Sequence, residues 1–487
     1  MRISSIIPCV RNANGSGHEQ RRQTDGPGKD EVNRMNDFRK TAQEMLEFIR
    51  ISPTCFHAVA NIGRMLEAAG FQQLQEKEEW KLEKGGRYYT ERNDSSVIAF
   101  VIPEKEVGIR GFHMAAAHSD SPCFKIKEKP ELTVEEHYLR LNTEKYGGMI
   151  LSTWLDRPLS VAGRLAVKNG NGIEGRLVNI DRDLCVIPNV AIHMNREMNK
   201  GVEYNPQVDL LPLLADVSFD EYDAHTTYDA QTASENAEEQ PETVEKPTLV
   251  ALAAEAAGVD AETILGEDLF LYTRQEGKMI GAKGEFVLSP RLDDLQSAFA
   301  LTKAFTESTP AEYINLCAVF DNEEVGSGTR QGADSTFLED TLQRITEGLQ
   351  EGHSTYLRWV ADSFLISADN AHAVHPNHPE KADPANRPYL NGGIVIKYHG
   401  SQKYTTDGIS AARMKDYCER AKVPYQTYAN RSDIAGGSTL GNISTAHVSV
   451  SSVDIGLPQL AMHSAVETAG MKDTEYAVRA LKEFWGE

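Results

Sequence analysis

Two adjacent carboxylates, Glu323 and Glu324, follow directly after an apolar run at residues 313–320. The run predicts a buried strand, and an ionised carboxylate is costly to bury unless a partner compensates its charge. Glycines at positions 326 and 328 allow a tight backbone turn beside a ligand. The pattern therefore favours a cation bound at the end of this strand. Taken alone, the pair could also form a solvated acidic turn, because glutamates are mostly exposed.

Four other segments share this design, in which an apolar run leads into histidine or aspartate. They are 112–117 before His118 and Asp120, 286–288 before Asp293 and Asp294, 364–366 before Asp369 and His372, and 457–462 before His463. The functional groups of open α/β sheets gather where the strands end at their carboxyl edge. We therefore expect the five strand ends to assemble one polar site from distant parts of the chain.

The residue types in these segments predict a hydrolytic metal site. Imidazoles and carboxylates without thiolates suit Zn²⁺, Mn²⁺, Co²⁺ or Fe²⁺. Two histidines and at least three carboxylates exceed the three protein ligands of a single catalytic zinc, which favours two metals sharing a bridging carboxylate. One carboxylate would remain free as a general base. The spacing of His118 and Asp120 suits an imidazole ligand whose tautomer is fixed by a carboxylate. His118 alone could equally be a hydrogen-bonded core histidine.

Five motifs together carry a resemblance to a known family. They are His-Ser-Asp-Ser-Pro from His118, Ser-Pro-Arg-Leu-Asp-Asp from Ser289, Asp-Asn-Glu-Glu-Val-Gly-Ser from Asp321, Asp-Asn-Ala-His-Ala-Val-His-Pro-Asn from Asp369, and Pro-Gln-Leu-Ala-Met-His-Ser from Pro458. In this order the chain resembles the M18 aspartyl aminopeptidases, from about Asn36 to its C-terminus. The resemblance implies a metalloprotease that hydrolyses the N-terminal residue of peptides and prefers Asp or Glu there.

The resemblance also implies a set of metal ligands for two divalent ions, zinc foremost and cobalt or manganese as alternatives. The matching residues are His118, Asp293, Glu324, Asp369 and His463. Asp293 would bridge the two ions. Beside it, one ion would be held by His118 and Asp369, and the other by Glu324 and His463.

Other residues match family positions around the metals. Glu323 matches the general base, and Asp120 matches the residue that orients His118. Asp294 directly follows Asp293, so the choice of bridging aspartate rests on the family pattern alone.

Specificity residues also follow from the resemblance. His372 and Lys397 match positions that favour an acidic substrate side chain, and a cation beside a carboxylate is a sound reason for that preference. Without the family, Lys397 reads as the solvated tip of a strand residue. His193 matches a histidine donated to a neighbouring subunit's active site; without the family it reads as an ordinary strand histidine. The glycine-rich loop at 436–441 matches a pocket lining, although such loops are common turns.

The alternation of strand and helix patterns predicts an α/β fold with an inserted β-rich domain. The resemblance implies that the α/β part is a mixed-sheet metallopeptidase domain and that the insert is a dimerisation domain. The expected parts are an N-terminal disordered extension at 1–35, a catalytic domain at 36–123 and 284–487, and the insert at 124–283 with an acidic mobile loop at 220–247. Strands are expected at 97–102 and 112–117, and β-rich pieces at 159–167, 175–180 and 186–193. Helices are expected at 38–49, 58–69, 248–257, 293–305 and 410–422.

Composition limits the possible partners. The formal net charge of −22 disfavours nucleic-acid binding, and local cations would have to attract an acidic substrate against this field. The six cysteines show no paired spacing, which favours free thiols in the cytoplasm. No apolar run reaches the roughly 18 residues of a membrane span. The family assembles dimers into a tetrahedral dodecamer, so the resemblance implies a homo-oligomer that trims peptides in an enclosed chamber.

Three alternative functions remain open at this stage. The first is an aminopeptidase of broader, neutral specificity. The second is a two-metal hydrolase acting on a non-peptide, although the ligand segments supply only Arg291 to help phosphoryl chemistry. The third is a non-catalytic binding protein, which loss of a ligand or of the base would signal; all six matching residues are present.

Overall fold

The computed structural model describes residues 29–104, 108–217, 248–437 and 439–487. The predicted acidic loop at 220–247 lies outside the described residues, as do residues 1–28 of the predicted extension and Ser438 of the glycine-rich loop.

The strands of the described residues form three sheets. In chain order the strands are β1 (Gln72–Gln73), β2 (Arg87–Arg92), β3 (Ser96–Val101), β4 (Phe112–His118), β5 (Cys123–Val134), β6 (Tyr138–Tyr146), β7 (Leu159–Asn169), β8 (Gly172–Asn179), β9 (Leu213–Asp216), β10 (Ile264–Thr273), β11 (Lys278–Ile280), β12 (Phe286–Ser289), β13 (Ile314–Phe320), β14 (Phe364–Ala368), β15 (Ala371–His372), β16 (Ile394–Tyr398), β17 (Tyr425–Ala429), β18 (Ser451–Gly456), β19 (Pro458–Leu460) and β20 (Glu467–Gly470).

Most helices of the described residues cover the faces of the largest sheet, whereas those at 206–209 and 249–257 pack against a second sheet. In chain order the helices are α1 (Lys29–Arg50), α2 (Cys55–Ala68), α3 (Pro206–Asp209), α4 (Leu249–Ala257), α5 (Leu292–Thr306), α6 (Phe337–Gly348), α7 (His353–Ala361), α8 (Gly408–Arg420), α9 (Leu440–His447) and α10 (Asp473–Trp485). Local signals set several ends: Asp407 and Ser410 form a capping box at the start of α8, and left-handed Gly258 ends α4.

The nine-stranded sheet has the order β1-β2-β3-β13-β4-β14-β18-β16-β17. Its central strands β13, β4, β14 and β18 are parallel. Every residue of β13 is buried, as expected for a strand covered on both faces. Leu316 and Phe320 pack towards α6 and α7, whereas Cys317 and Val319 pack towards the core shared with α1, α5 and α10. This three-layer arrangement brings the carboxyl ends of the central strands to one edge.

A second, antiparallel sheet has the order β8-β7-β10-β5-β6-β9 and its own core, which includes Phe124, Trp154 and Leu269. The small third sheet has the strand order β11-β12-β20-β19-β15. Along the chain, its strands alternate with those of the nine-stranded sheet, since β13 follows β12 and β19 follows β18. A mixed α/β unit with a β-rich region confirms the predicted fold class. The role of the β-rich region in dimerisation and the domain boundaries stay predictions.

Two local expectations differ from the structure. Helix α1 begins at Lys29, inside the segment predicted as an extension. Residues 186–193 do not form a strand: Val186 and Ile187 make only isolated bridges, and His193 lies in an exposed turn. Pro188 has no N–H group for a ladder, and the side chain of Asn189 bonds to Asp156 instead.

Among the described residues, no helix is both long and apolar enough to cross a membrane. Five cysteines within the described ranges are free thiols: Cys55, Cys123, Cys185, Cys317 and Cys418.

Candidate active site

Three adjacent parallel strands deliver the first group of predicted residues. His118 is the last residue of β4, Asp369 follows β14, and Glu323 and Glu324 form a single 3-10 turn after β13. Because β4 pairs with both β13 and β14, these ends meet at one edge of the sheet. Asp293 arrives from the third sheet, at the start of α5 after β12. His463 arrives after β19 of the same sheet.

Asp293 lies between the two imidazoles. Its Oδ1 is 3.4 Å from Nε2 of His118, and its Oδ2 is 3.5 Å from Nε2 of His463. On one side, Oδ1 of Asp369 is 3.9 Å from the same His118 nitrogen. On the other, Oε2 of Glu324 is 3.5 Å from the His463 nitrogen. The structure thus brings together all five residues predicted as metal ligands, in two halves around Asp293.

Both histidines are held in the orientation that metal binding needs, with Nδ1 against a carbonyl oxygen and Nε2 towards the carboxylates. Nδ1 of His118 lies 3.1 Å from the carbonyl oxygen of Asp120, and Nδ1 of His463 lies 2.8 Å from the carbonyl oxygen of Gly148. A carbonyl oxygen only accepts, so Nδ1 must carry the hydrogen in each ring. When Nε2 loses its proton to make way for a cation, its lone pair would face the same carboxylates.

The cluster has an unmet need for positive charge. Oδ1 of Asp293 and Oε1 of Glu324 are buried and accept no hydrogen bond, and ligand atoms of His118, Asp293 and Glu324 lie within 4.8 Å of one another. Burial lowers the pKa of His463, but Asp293 and Glu324 outweigh it and raise the pKa to about 10. Buried carboxylates require such compensation. These nitrogen and oxygen donors therefore fit divalent cations such as Zn²⁺, Co²⁺ or Mn²⁺.

Asp294 has a different environment from Asp293. Its Oδ2 accepts the backbone N–H of His118 at 3.2 Å, and burial raises the pKa of its carboxyl group well above the ordinary value. Asp294 can also be grouped with Asp293 and Asp369 as a possible cation site. However, only Asp293 faces both imidazoles through an ion-pair contact among the described residues.

Asp120 does more than contact His118. Its Oδ1 accepts the backbone N–H of Glu323 at 3.1 Å, and its Oδ2 accepts that of Glu324 at 3.2 Å. The hydroxyl of Tyr146 donates to the same Oδ2 at 2.7 Å. Asp120 therefore anchors the turn that carries both glutamates.

Sequence reasoning missed three contributors to this site: Tyr146, Gly148 and Glu467. Glu467 accepts the backbone N–H of Asp293 at 3.0 Å with Oε2 and that of His463 at 2.7 Å with Oε1. Its position four residues after His463 was the only hint, and a spacing of four is common. Nothing in the local pattern around Tyr146 or Gly148 distinguishes them from ordinary strand-end residues.

A cavity of about 330 Å³ opens onto the cluster and includes Glu323, His372, Lys397 and Tyr404 in its lining. Burial raises the pKa of Glu323 to about 7. Lys397 is buried, so the reading as a solvated strand tip is wrong. Its Nζ lies 3.4 Å from Oδ2 of Asp369 and 5.4 Å from the ring centroid of Tyr404. Burial lowers the pKa of His372, so this ring is neutral at pH 7.

His193 is not part of this group within one subunit. It lies on the exposed turn of the β-rich region and does not line the cavity.

Comparison with known proteins identifies the family. Residues 48–485 match the family described as aminopeptidase I zinc metalloprotease (M18). The chain is 46% identical over 448 residues to a probable M18 family aminopeptidase 2 of Clostridium novyi, covering 92% of this chain and 98% of that protein. A protein of the same description from Pseudomonas putida is 40% identical over 442 residues, covering 91% and 97%.

Solved structures agree with this match. Ape4, in a cryo-EM complex with Nbr1, has a TM-score of 0.84 at 36% identity and covers 94% of this chain and 87% of that one. The S. cerevisiae mApe1 dodecamer has a TM-score of 0.75 at 26% identity, with 92% and 97% covered. This chain therefore belongs to the M18 family of metallo-aminopeptidases.

Proposed function

We propose that this aminopeptidase uses two divalent metal ions, zinc foremost, and prefers Asp or Glu as the N-terminal residue of its peptide substrates. The observation that carries the proposal is the continuity of one cavity from the Asp293 cluster to the buried ammonium of Lys397. The cluster supplies the cation ligands, and the lysine supplies a positive charge where a substrate side chain would lie.

The ligands divide around Asp293. His118 and Asp369 would hold one ion, and Glu324 and His463 the other. When bound, two such ions supply Lewis acidity towards the peptide carbonyl and towards water. The substrate's free α-amino group would lie beside this acidic cluster, which would limit cleavage to the first residue.

Glu323 would act as the general base. Its backbone is held by Asp120, and its carboxyl group lies on the cavity wall beside the ligands. Its pKa of about 7 suits proton transfer near neutral pH, although bound cations would lower it. Glu323 would take the proton of the attacking water and later donate it to the leaving amine.

Lys397 would select the acidic side chain. Its ammonium is buried, so a substrate carboxylate would meet it in a medium of low dielectric constant, where charge-assisted hydrogen bonds are strong. The ion pair with Asp369 neutralises part of the positive charge of Lys397. His372 would add a neutral hydrogen-bonding group on the same cavity wall.

We further infer that the chain works as a dodecamer built from dimers and that the β-rich insert at 124–283 makes the dimer contacts. Exposed Val190, Ile192 and Met194 flank His193 and form an apolar surface suited to a neighbouring subunit. His193 would then reach that neighbour's active site. The free thiols are consistent with a reducing compartment, so we place the enzyme in the cytoplasm.

Metal removal tests the reaction. We would strip the protein with chelator, restore single metals, and assay dipeptides that begin with Asp, Glu, Leu or Lys. We expect activity to return with Zn²⁺, Co²⁺ or Mn²⁺ and to be highest for Asp or Glu. Release led by Leu would indicate broader, neutral specificity. No release with any metal would contradict the proposal.

The Lys397→Met variant tests the acidic preference separately. A charge-assisted hydrogen bond contributes roughly 1.5–3 kcal/mol, so the ratio of kcat/KM for Asp over Leu peptides should fall about 10- to 100-fold. Lys168→Met, an exposed lysine on β7, is the matched control and should leave the ratio unchanged. If kcat/KM fell equally for the Asp and Leu peptides, Lys397 would act by holding Asp369 in place and not by binding the substrate side chain.

A further inference from the structure

A segment of the β-rich region reaches into the active site. Residues 146–153, named here the crossover segment, connect the end of β6 to β7 and include the first residues of a 3-10 turn, Leu151–Trp154. The flanking strands belong to the six-stranded sheet, whereas the ligands come from the other two sheets. The crossover segment nevertheless contacts the site at several points.

The first contact is the hydroxyl of Tyr146. It donates to Oδ2 of Asp120 at 2.7 Å and accepts from Nδ2 of Asn322 at 2.8 Å. Asn322 immediately precedes the turn of Glu323 and Glu324 and has a left-handed backbone, with φ of 63°. One hydroxyl therefore links Asp120, which accepts both N–H groups of the turn, to Asn322, which precedes the turn.

The second group of contacts holds the His463 loop. The carbonyl of Gly148 accepts from Nδ1 of His463 at 2.8 Å, and the N–H of Ile150 donates to the carbonyl of His463 at 2.9 Å. Two residues after His463, the N–H of Ala465 donates to Oγ1 of Thr153 at 2.9 Å. These bonds fix both the position of the loop and the imidazole tautomer.

Gly147 permits this close approach. Its φ is +80°, and a Cβ at this position would lie 3.1 Å from Cβ of Glu324 and 3.3 Å from its carbonyl oxygen. Both its backbone conformation and the lack of space disfavour any side chain. The crossover segment thus packs directly against Glu324 as well as His463.

We propose that the crossover segment is a positioning element through which the β-rich region sets the Glu323–Glu324 turn and the His463 half of the cluster. This inference rests on the proposed roles of Glu323, Glu324 and His463. Groups that orient metal ligands and reacting groups strongly affect affinity and rate. The crossover segment makes no direct contact of this kind with His118 or Asp369 among the described residues, and it reaches His118 only through Asp120. Changes in the segment should therefore weaken the metal held by Glu324 and His463 more than the metal held by His118 and Asp369.

Two variants and two matched controls test the proposal in the full-length protein. Tyr146→Phe removes the hydroxyl, and Tyr138→Phe makes the same change at the exposed start of β6. Gly147→Ala introduces the clash, and Gly170→Ala introduces a methyl at φ of +58° with nothing within 4 Å. For each we would measure kcat, KM, the melting temperature and Zn²⁺ binding to the apoprotein by competition with a chromogenic chelator.

We expect Tyr146→Phe to lower kcat about 10- to 100-fold with little change in KM. Gly147→Ala should weaken one of the two zinc equivalents by about 10- to 100-fold and leave the other tight. Both controls should match the unmodified protein in kcat, KM and zinc affinity, although the positive φ of Gly170 should make Gly170→Ala somewhat less stable.

A merely structural role would lower the melting temperature while kcat and zinc affinity of the folded protein stayed unchanged, and this result would overturn the proposal. Equal weakening of both zinc equivalents would also overturn it. If the unmodified protein bound two zinc ions but cleaved no peptide, the proposed function would fail, whereas the zinc titration would still decide the inference.

Discussion

At the residue scale, Asp293 is the centre of the site. Each of its oxygens faces the Nε2 of a different histidine, and Oδ1 accepts no hydrogen bond that would compete with a cation. Burial alone would raise the pKa of Asp293, but His118 and His463 outweigh it and hold the pKa below the usual range. The lowered pKa favours ionised Asp293, which the proposed bridging role requires.

Comparing Asp293→Asn with Asp294→Asn tests this assignment. An amide offers one neutral oxygen in place of two charged ones, so Asp293→Asn should bind at most one metal ion and lose at least about 100-fold in turnover. Burial raises the pKa of Asp294 and so favours its neutral form, and an amide is neutral and has nearly the same shape. Asp294→Asn should therefore keep two ions and most activity. Elemental analysis after dialysis measures the metal content, and the reverse result would make Asp294 the bridge.

At the element scale, β4 is a core strand that also carries a proposed metal ligand, His118. Five residues before His118, the ring of His113 is stacked between those of Tyr313 and Phe484 of α10. The ring centroids are 3.7 Å apart for Tyr313 and 4.6 Å apart for Phe484. Nδ1 of His113 is buried without a hydrogen-bond partner. Burial lowers the pKa of His113 to about 4. The packing of α10 against the sheet thus depends on a neutral histidine.

This burial predicts acid sensitivity. Between pH 6.5 and about 4 the unfolded chain binds a proton at His113 that the folded chain excludes, so stability falls as the pH falls. The loss could reach about 3 kcal/mol, since each pKa unit corresponds to about 1.4 kcal/mol. His113→Phe keeps the stacked ring and should lose less stability across this range.

Urea unfolding at pH 7.5 and 4.5, with chelator throughout to exclude metal release, measures the difference. Exposed His353, changed to Phe, is the control. An identical pH dependence in His113→Phe and the unmodified protein would contradict the assignment.

At the scale of the whole molecule, the candidate site draws on the β-rich region as well as on the two sheets that carry the proposed ligands. The β-rich region contributes Tyr146 and Gly148 to its own subunit's site. We also expect it to contribute His193 to a neighbour, because His193 is exposed and does not line the cavity of its own subunit. A subunit by itself would then be incomplete.

Subunit mixing tests this expectation. His193→Ala and Glu323→Gln should each be nearly inactive, and Glu323→Gln should retain its metals. When the two are dissociated, mixed and reassembled, about a quarter of the sites should combine an intact base with a neighbour's histidine if pairing is random. Each variant reassembled alone is the control. A fully active monomer, or no recovery on mixing, would exclude a role for a neighbour's His193.

The sequence by itself determined which residues come together at the candidate site. Each predicted ligand follows an apolar run, and burial of that run in a sheet is a local consequence of its composition, so His118, Glu324 and Asp369 were predictable from strand ends. The helices over 248–257 and 293–305 were predictable from residue periodicity, which is also a local signal, and the first of them has caps at Thr248 and Gly258.

Only the tertiary structure decided how these residues are held. The bond from His463 to Gly148 joins residues separated by 315 positions, and that from Asp293 to Glu467 joins residues separated by 174. No local pattern encodes such pairs. The burial of Lys397 likewise depends on neighbours distant in the chain, such as Asp369 and Tyr404. Ligand identity is a property of side-chain type, whereas ligand orientation is a property of the surrounding fold.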